Sequence, residues 1–188
     1  MKKIFLVVVA VAFFATQGIA QDFNFGVKGG VNFTNLTGDD VDADMKTKFN
    51  LGVLAEFMVN EQFSIQPEVL YSAQGADEDN TELTLDYITV PVMFKYYVAP
   101  GFSLQAGPQV GFLVNDDYEA SLGDVSVSPD TDDVFKTVDF GLNFGLGYKF
   151  YNNIFVDARY NLGLTEVFDE GDVDAKNSVI QFSVGYMF

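Results

Sequence analysis

The stretch Val138–Phe150 reads VDFGLNFGLGYKF and decides the fold. Every second residue in it is apolar: Val138, Phe140, Leu142, Phe144, Leu146, Tyr148 and Phe150. The residues between them are small, polar or charged: Asp139, Gly141, Asn143, Gly145, Gly147 and Lys149. Because successive side chains of a β-strand point to opposite faces, this period of two predicts a strand with one apolar and one polar face.

The same alternation recurs along the chain and predicts eight strands. They are Phe23–Thr34, Lys48–Val59, Phe63–Gln74, Leu83–Val98, Phe102–Val114, Val134–Phe150, Ile154–Phe168 and Lys176–Phe188. Most exceed the roughly 9–11 residues that a tilted strand needs to cross a bilayer. We therefore expect an all-β fold, an eight-stranded antiparallel up-and-down transmembrane β-barrel, formed by one domain over residues 21–188.

The predicted connections alternate in length. Three are short: Asn60–Gln62, Ala99–Gly101 and Tyr151–Asn153. Four are long: Asn35–Thr47, Gly75–Glu82, Asn115–Asp133 and Asp169–Ala175. Short turns on one rim and long loops on the other are typical of outer-membrane barrels. This pattern predicts the bacterial outer membrane, with extracellular long loops and periplasmic termini.

The first twenty residues resemble an export signal rather than part of the fold. Lys2 and Lys3 precede an apolar run, Ile4–Phe14, and Gly18 and Ala20 are small. This order predicts a secretory signal peptide over residues 1–20, cleaved after Ala20. The apolar run is too short for a spanning helix, which needs about 20 residues. Since the chain has no Cys, a lipoprotein is excluded.

The composition excludes one class of partner and restricts the kind of membrane protein. The formal net charge of −17 becomes −19 when Lys2 and Lys3 are removed, so nucleic acid is not an expected partner. Hydrophobic residues make up 48% of the chain, yet its predicted mature part has no apolar stretch approaching about 18 residues. If that part lies in a membrane, it must do so as a closed barrel.

The polar faces of the strands carry eight charged residues. They are Lys28, Glu56, Glu68, Lys95, Asp139, Lys149, Asp157 and Arg159, four of each sign, which sum to zero. Because an unpaired charge in a confined interior is costly, we expect a network of ion pairs with a structural role. Eight strands enclose a space that side chains can fill, so the polar face predicts a plug rather than a channel. Glycines on this face, such as Gly30, Gly52, Gly107 and Gly145, are expected to leave room for the charged side chains.

The apolar faces are expected to meet lipid. Aromatic residues stand near their ends, as in the girdles of membrane barrels: Phe23, Phe25, Phe63, Tyr96, Phe102, Tyr148, Phe150, Tyr186 and Phe188. Pro67 and Pro108 fall on this face and Pro91 on the polar one, and each predicts a bulge or a local break in the ladder. The alternative is a soluble, lipocalin-like barrel that holds a ligand inside. The scarcity of Lys and Glu on the polar face disfavours it.

Five short patterns, in order along the chain, resemble one known family. They are Gly26, Lys28, Gly30, Asn32 and Thr34; Ile88, Val90, Pro91, Lys95 and Tyr96; Ala106, Gly107, Pro108 and Gly111; Asp139, Gly141, Leu142, Gly145 and Gly147; and Arg159, Tyr160, Gly163, Leu164 and Thr165. Together they are similar to the PorT-like outer-membrane β-barrel proteins, whose architecture is akin to that of OmpA and OmpX. The resemblance covers nearly all of the predicted mature chain. It implies an outer-membrane barrel, and the family's namesake is tied to secretion and gliding.

The last strand carries an expected assembly signal. Phe182, Val184, Tyr186 and Phe188 place an apolar residue at every second position up to the final aromatic. This arrangement resembles the signal read by the barrel-assembly machinery, which we expect as a partner during insertion. The other expected partners are outer-membrane lipid, lipopolysaccharide and an unidentified protein at the loops.

No catalytic or cofactor site is expected. The chain has no His and no Cys, which excludes the usual zinc, haem and thiol sites. The glycines of 141–147 lie in a strand with no helix after them, so they do not predict a nucleotide loop. Weak candidates for Ca²⁺ or Mg²⁺ are the loop carboxylates Asp39, Asp40, Asp42, Asp44, Asp130, Asp132 and Asp133. The function expected is therefore a structural or surface-interaction barrel; a secretion or transport accessory and a lipid-modifying enzyme are its rivals.

Overall fold

The computed structural model describes residues 23–37, 45–78, 81–122, 125–127, 137–166 and 176–188. The predicted signal peptide 1–20 lies outside these residues. So do all seven carboxylates proposed as weak metal candidates: Asp39, Asp40, Asp42, Asp44, Asp130, Asp132 and Asp133. Both statements stay predictions.

The described residues form nine strands, numbered in chain order. They are β1 (Phe23–Thr37), β2 (Lys46–Asn60), β3 (Phe63–Glu78), β4 (Thr81–Ala99), β5 (Phe102–Leu122), β6 (Val125–Val127), β7 (Val138–Lys149), β8 (Ile154–Glu166) and β9 (Lys176–Met187). Eight of them pair in a continuous antiparallel sheet, and the pairing of β1 with β9 closes it. The predicted fold class, an eight-stranded antiparallel barrel, is confirmed. In the described part of the chain, β6 pairs with the far end of β5 and is no part of the closed wall.

The two rims of the barrel differ. The turn end holds the tight connections 61–62, 100–101 and 150–153, close to the three short turns predicted. The first and last described residues, Phe23 and Phe188, also lie at this end, where the Phe188 N–H donates to the Phe25 carbonyl. The opposite rim, the loop end, holds the remaining connections. Among the described residues, no helix is long and apolar enough to cross a membrane.

Two of the predicted long loops are in large part strand, which corrects their boundaries. β3 and β4 continue to pair through Gly75↔Thr84 up to Glu78↔Thr81, and β5 extends to Leu122. A hairpin in water tolerates polar residues on both faces, because the backbone N–H and C=O groups of its strands are hydrogen-bonded to each other. The described part of β7 begins at Val138, and residues 134–136 of the predicted strand lie outside the described residues.

The three prolines interrupt the ladder without shifting it. Pairing of β2 with β3 stops at Leu54↔Glu68 and resumes at Phe57↔Ile65 in the same register, beside Pro67. Similar gaps fall beside Pro91 and Pro108. Since proline lacks the N–H that a ladder needs, a local break is the expected consequence, and no bulge forms there.

The apolar faces of the strands point outward. Phe140, Phe144 and Leu146 of β7 are about half exposed, while Asn143 between them is 4% exposed and lies inside. Outward aromatic rings contact one another at the turn end, as Phe25 does with Phe188 and Tyr148 with Phe150. The arrangement leaves an apolar band around a polar interior.

Candidate functional site in the barrel lumen

Six of the eight predicted lumen charges meet inside the barrel. They come from five strands: Lys28 of β1, Glu56 of β2, Glu68 of β3, Lys95 of β4, and Asp157 and Arg159 of β8. All six are buried. They occupy inward positions because the side-chain period of a strand is two, so residues such as Asp157 and Arg159 share a face.

Four of these charges form a closed ring of alternating sign, the ion ring of Lys28, Glu68, Arg159 and Asp157. Lys28 Nζ lies 3.3 Å from Glu68 Oε2 and 3.3 Å from Asp157 Oδ2. Arg159 binds Glu68 through two nitrogen atoms, at 2.7 and 2.9 Å. Arg159 Nε lies 3.3 Å from Asp157 Oδ1, close enough for an ion pair although no hydrogen bond forms there. Two cations and two anions make the ring neutral.

The other two charges form a pair nearer the turn end. Lys95 Nζ lies 2.8 Å from Glu56 Oε1, which also accepts hydrogen bonds from Ser64 Oγ at 2.8 Å and Tyr97 OH at 2.5 Å. Gln66 joins this pair to the ion ring. Its amide nitrogen donates to Glu68 Oε1 at 2.7 Å, and its carbonyl oxygen accepts from Lys95 Nζ at 3.0 Å.

Uncharged polar side chains continue the network toward the loop end. Lys28 Nζ donates to Gln181 Oε1 at 3.4 Å, and Gln181 Nε2 donates to Asn32 Oδ1 at 3.1 Å. Asn50 Nδ2 donates to the same oxygen of Asn32 at 2.8 Å and Asn32 Nδ2 to Ser72 Oγ at 3.0 Å. Buried polar groups of this kind stabilise a fold when their partners are satisfied.

Asp139 and Lys149 lie apart from these six charges. Within the residues that the structure describes, neither forms an ion pair with the ion ring or with Glu56 and Lys95. Asp139 is buried toward the loop end. Lys149 lies half-buried at the turn end. The sequence placed both on the polar face, but it did not separate them from the other six.

Sequence reasoning missed a set of bulky apolar side chains inside the barrel. Leu54, Phe155 and Met187 form one cluster near the turn end, while Leu70, Met93 and Tyr87 are buried at other levels. Each lies at an inward position of its strand, and all but Met187 are two residues from a polar neighbour, as Leu54 is from Glu56. The alternation in the sequence could have revealed them, because each occupies the same face of its strand as the inward polar residues. The lumen is thus filled by packing as well as by ion pairs.

The inward glycines do not all make room for charges, which corrects that expectation. A Cβ added at Gly30, Gly52 or Gly107 would meet a carbonyl oxygen of the neighbouring strand at 1.9–2.1 Å. Close approach of backbone, not a charged side chain, requires glycine at these three positions. At Gly145 a Cβ would lie 2.4 Å from the Ala158 carbonyl oxygen and 2.8 Å from Arg159 Cγ, so close backbone approach and the charged side chain both restrict this position.

The remaining site candidates are placed as follows. Phe182, Val184, Tyr186 and Phe188 point outward and are 43–67% exposed. In the described part of the chain, no three His, Cys, Asp or Glu side chains are grouped so as to hold a metal ion.

A closed antiparallel barrel with an apolar exterior and a polar, packed interior defines the class of transmembrane β-barrels. The family model described as "Outer membrane protein beta-barrel domain" matches residues 19–169. The chain belongs to this family and is an outer-membrane β-barrel protein of the bacterial outer membrane.

Solved structures share the fold at low sequence identity. The Neisserial surface protein A is 13% identical with a TM-score of 0.57, over 87% of this chain and 97% of that one. Ail, the attachment invasion locus protein of Yersinia pestis, is 18% identical with a TM-score of 0.57, over 89% and 99% of the two chains. No curated protein sequence matches the chain. None of these findings bears on the PorT-like resemblance, which stays a prediction.

Proposed function

We propose that this chain is a non-enzymatic barrel with a sealed lumen, which presents its loop end at the cell surface for structural or surface-interaction purposes. The ion ring of Lys28, Glu68, Arg159 and Asp157 is the observation that carries the proposal. It spans the interior, and each of its members is at most 5% exposed. A lumen closed by neutral, hydrogen-bonded charges has no path for ions.

The proposal includes the orientation of the barrel. Outer-membrane barrels keep short turns on the periplasmic side and long loops outside, so the turn end belongs in the periplasm. The names of the two structural neighbours, a surface protein and an attachment protein, agree with a role outside the cell. Lipopolysaccharide, outer-membrane lipid and a protein at the loops are the proposed partners, with the barrel-assembly machinery reading Phe182, Val184, Tyr186 and Phe188 during insertion.

Conductance in planar bilayers tests the seal. We expect the wild-type barrel to show no steady ion current at neutral pH. A reproducible single-channel step for the wild type would overturn the sealed lumen. The control is the loop-end charge variant Lys176→Gln, which leaves the ion ring intact and is expected to be equally silent.

Cysteine labelling tests the orientation. The chain has no Cys, so Glu78→Cys at the loop end and Asn152→Cys at the turn end each provide one thiol. In intact cells, a membrane-impermeant maleimide is expected to label position 78 and to leave position 152 unlabelled until the outer membrane is permeabilised. Labelling of position 152 alone would show that the turn end faces the outside of the cell, opposite to the proposed orientation.

A secretion-accessory role of the PorT type is the second candidate. It is favoured by the extension of β3, β4 and β5 beyond the closed wall, because this paired sheet offers a partner a docking surface at the loop end. The soluble, lipocalin-like alternative is not favoured, since Phe140, Phe144 and Phe182 face outward and the interior holds the ion pairs.

A further inference from the structure

The lumen opens at the turn end into a cavity of about 470 Å³, here called the mouth. Its lining includes Asn24, Met58, Tyr97, Lys149, Tyr151 and Asn153. This volume falls in the range of about 300–1,000 Å³ that small-molecule sites occupy, and the mixture of rings with a few polar groups is typical of such sites.

Among the described residues, Lys149 brings to the mouth a positive charge that no carboxylate pairs with. Each of the other three lumen cations has a carboxylate oxygen within 3.3 Å: Lys28, Lys95 and Arg159. Across the described ranges, no carboxylate pairs with Lys149. The six charges behind it already cancel, as three cations and three anions. A cation in a cleft with low-dielectric walls attracts an anion more strongly than one in open water.

The backbone holds Lys149 in place beside the mouth. Its N–H donates to the carbonyl of Gly101 at 2.8 Å, which ties β7 to the β4–β5 turn. Gly101 has a φ of 77°, and a Cβ there would lie 2.4 Å from the Lys149 carbonyl oxygen. The turn therefore fixes the main chain of Lys149 beside the mouth.

A buried acceptor lies beside the mouth, in a separate gap of about 10 Å³ that has room for one water molecule at most. This gap is lined by Lys149 and Tyr97 together with Lys95 and Gln105. Gln105 is 6% exposed, and its Oε1 has no hydrogen-bond partner in the part of the chain that the structure describes. An oxygen of this kind is costly to bury unless an N–H or O–H donor reaches it.

We propose that the mouth binds a small carboxylate whose charge faces Lys149 and whose apolar or aromatic body lies against Tyr97 and Tyr151. One unmatched cation fits a monoanion, and the strongly acidic chain disfavours ligands with several negative charges. An N-acylated aromatic amino acid has this chemistry. The site goes beyond the proposed function, and it holds whichever side of the membrane the turn end faces.

The ligand test compares two probes of the same shape. The full barrel, purified from membranes and reconstituted in lipid nanodiscs, is titrated with N-acetyl-phenylalanine and with its neutral analogue N-acetyl-phenylalaninamide. We expect saturable amide NMR shifts at Asn24, Tyr97 and residues 149–153 with the acid, and binding at least tenfold weaker with the amide. Equal affinity for the two probes, or shifts that do not saturate at millimolar concentration, would overturn the site.

Variants of Lys149 distinguish the loss of its charge from an effect on folding. Lys149→Met is expected to weaken binding of the acid at least tenfold, and Lys149→Arg to retain it within about threefold. The matched control Lys176→Met removes a lysine at the loop end and is expected to bind like the wild type. Folding of each variant is checked by its heat-modifiable gel mobility. Wild-type affinity in a folded Lys149→Met barrel would overturn the proposal, while the conductance test of the sealed lumen would stand unaffected.

Discussion

Arg159 and Glu68 join opposite walls of the barrel. Arg159 Nη2 lies 2.7 Å from Glu68 Oε1 and Nη1 lies 2.9 Å from Oε2, although the residues are 91 positions apart in the chain. Their strands, β8 and β3, are four strands apart in either direction around the closed sheet. A two-pronged guanidinium–carboxylate pair fixes both distance and orientation, so it braces the barrel across its full width.

Glu68→Gln is expected to destabilise the barrel strongly. The change leaves Lys28 and Arg159 buried with Asp157 as their one remaining carboxylate in the ion ring. Removing one partner of a buried ion pair costs roughly 3–5 kcal/mol. The measurement is urea unfolding of the barrel in lipid vesicles, followed by tyrosine fluorescence or gel mobility.

Two further variants test whether the cost arises from the unpaired charge. Glu61→Gln, in the exposed turn 61–62, is expected to stay within about 0.5 kcal/mol of the wild type. The double change Glu68→Met with Arg159→Met removes one charge of each sign and is expected to be less destabilising than Glu68→Gln alone. If Glu68→Gln were as mild as Glu61→Gln, the Arg159–Glu68 pair would contribute little to the stability of the barrel.

Phe144→Lys is expected to impair insertion. Phe144 is 50% exposed on the outer face near the middle of β7, beside Ala106 and Tyr160. Lysine at the bilayer midplane of a barrel costs roughly 2–4 kcal/mol, and the cost falls toward the interfaces. The measurement is the folded fraction after refolding into vesicles.

The control for this change lies at the end of the same strand. Tyr151 is fully exposed in the turn after β7, so Tyr151→Lys is expected to fold like the wild type. If both lysine variants refolded equally well, the outer face of β7 would not meet hydrocarbon.

The side of the strand that each residue occupies could be predicted from sequence, but its partners could not. Alternation is a local property, so Glu68 and Arg159 were both expected to point inward. Which cation meets which anion depends on the stagger of eight strands around the barrel, and this is set by pairings such as Lys28↔Gly185 across the closing seam. No pattern within a single strand contains that information.

The ends of the strands were harder to predict for a related reason. Residues 75–78 and 115–122 fall in two of the predicted long connections, and most of them are polar or acidic. Whether a polar segment continues as a strand depends on a neighbour that also continues, as Asp77 does with Glu82. The same difficulty arises at Lys149. Its charge and its place on the polar face resemble those of the other lumen cations, but among the described residues it forms no ion pair with the other lumen charges.

Gly30→Ala is expected to disturb closure of the barrel. A Cβ at this position would lie 1.9 Å from the Phe182 carbonyl oxygen of β9, and backbone cannot move aside as a flexible side chain does. Overpacking of this kind typically costs about 1–3 kcal/mol. The measurement is the urea midpoint together with the fraction of fast-migrating, folded barrel on unheated gels.

The adjacent glycine provides the control. At Gly29 the nearest atom to an added Cβ is Leu51 Cδ1 at 3.3 Å, and that side chain lies on the outer face where it can move. Gly29→Ala is expected to be close to neutral. Equal effects at the two positions would contradict a role for close backbone approach at the β1–β9 seam.

Thr34→Val is expected to loosen the loop end between β2 and β3. The ladder between these strands ends at Asn50↔Ser72, although both strands continue toward the loop end. There, side chains of β1 bind the free β3 carbonyls: Asn32 Nδ2 donates to Ala73 O at 3.0 Å and Thr34 Oγ1 to Gly75 O at 2.6 Å. Valine keeps the shape of Thr34 but has no donor, so the Gly75 carbonyl loses its bond at a cost of about 1–3 kcal/mol.

Amide hydrogen exchange measures the consequence residue by residue. A loss of about 1.4 kcal/mol corresponds to a tenfold change in the opening equilibrium, so the amides of 73–78 are expected to exchange at least severalfold faster. Those of 63–70, inside the paired part of β3, are expected to be unchanged. Thr47→Val, at an exposed position of β2, is the control. If it speeds exchange at 73–78 as much as Thr34→Val does, the side chains of β1 do not replace the missing ladder.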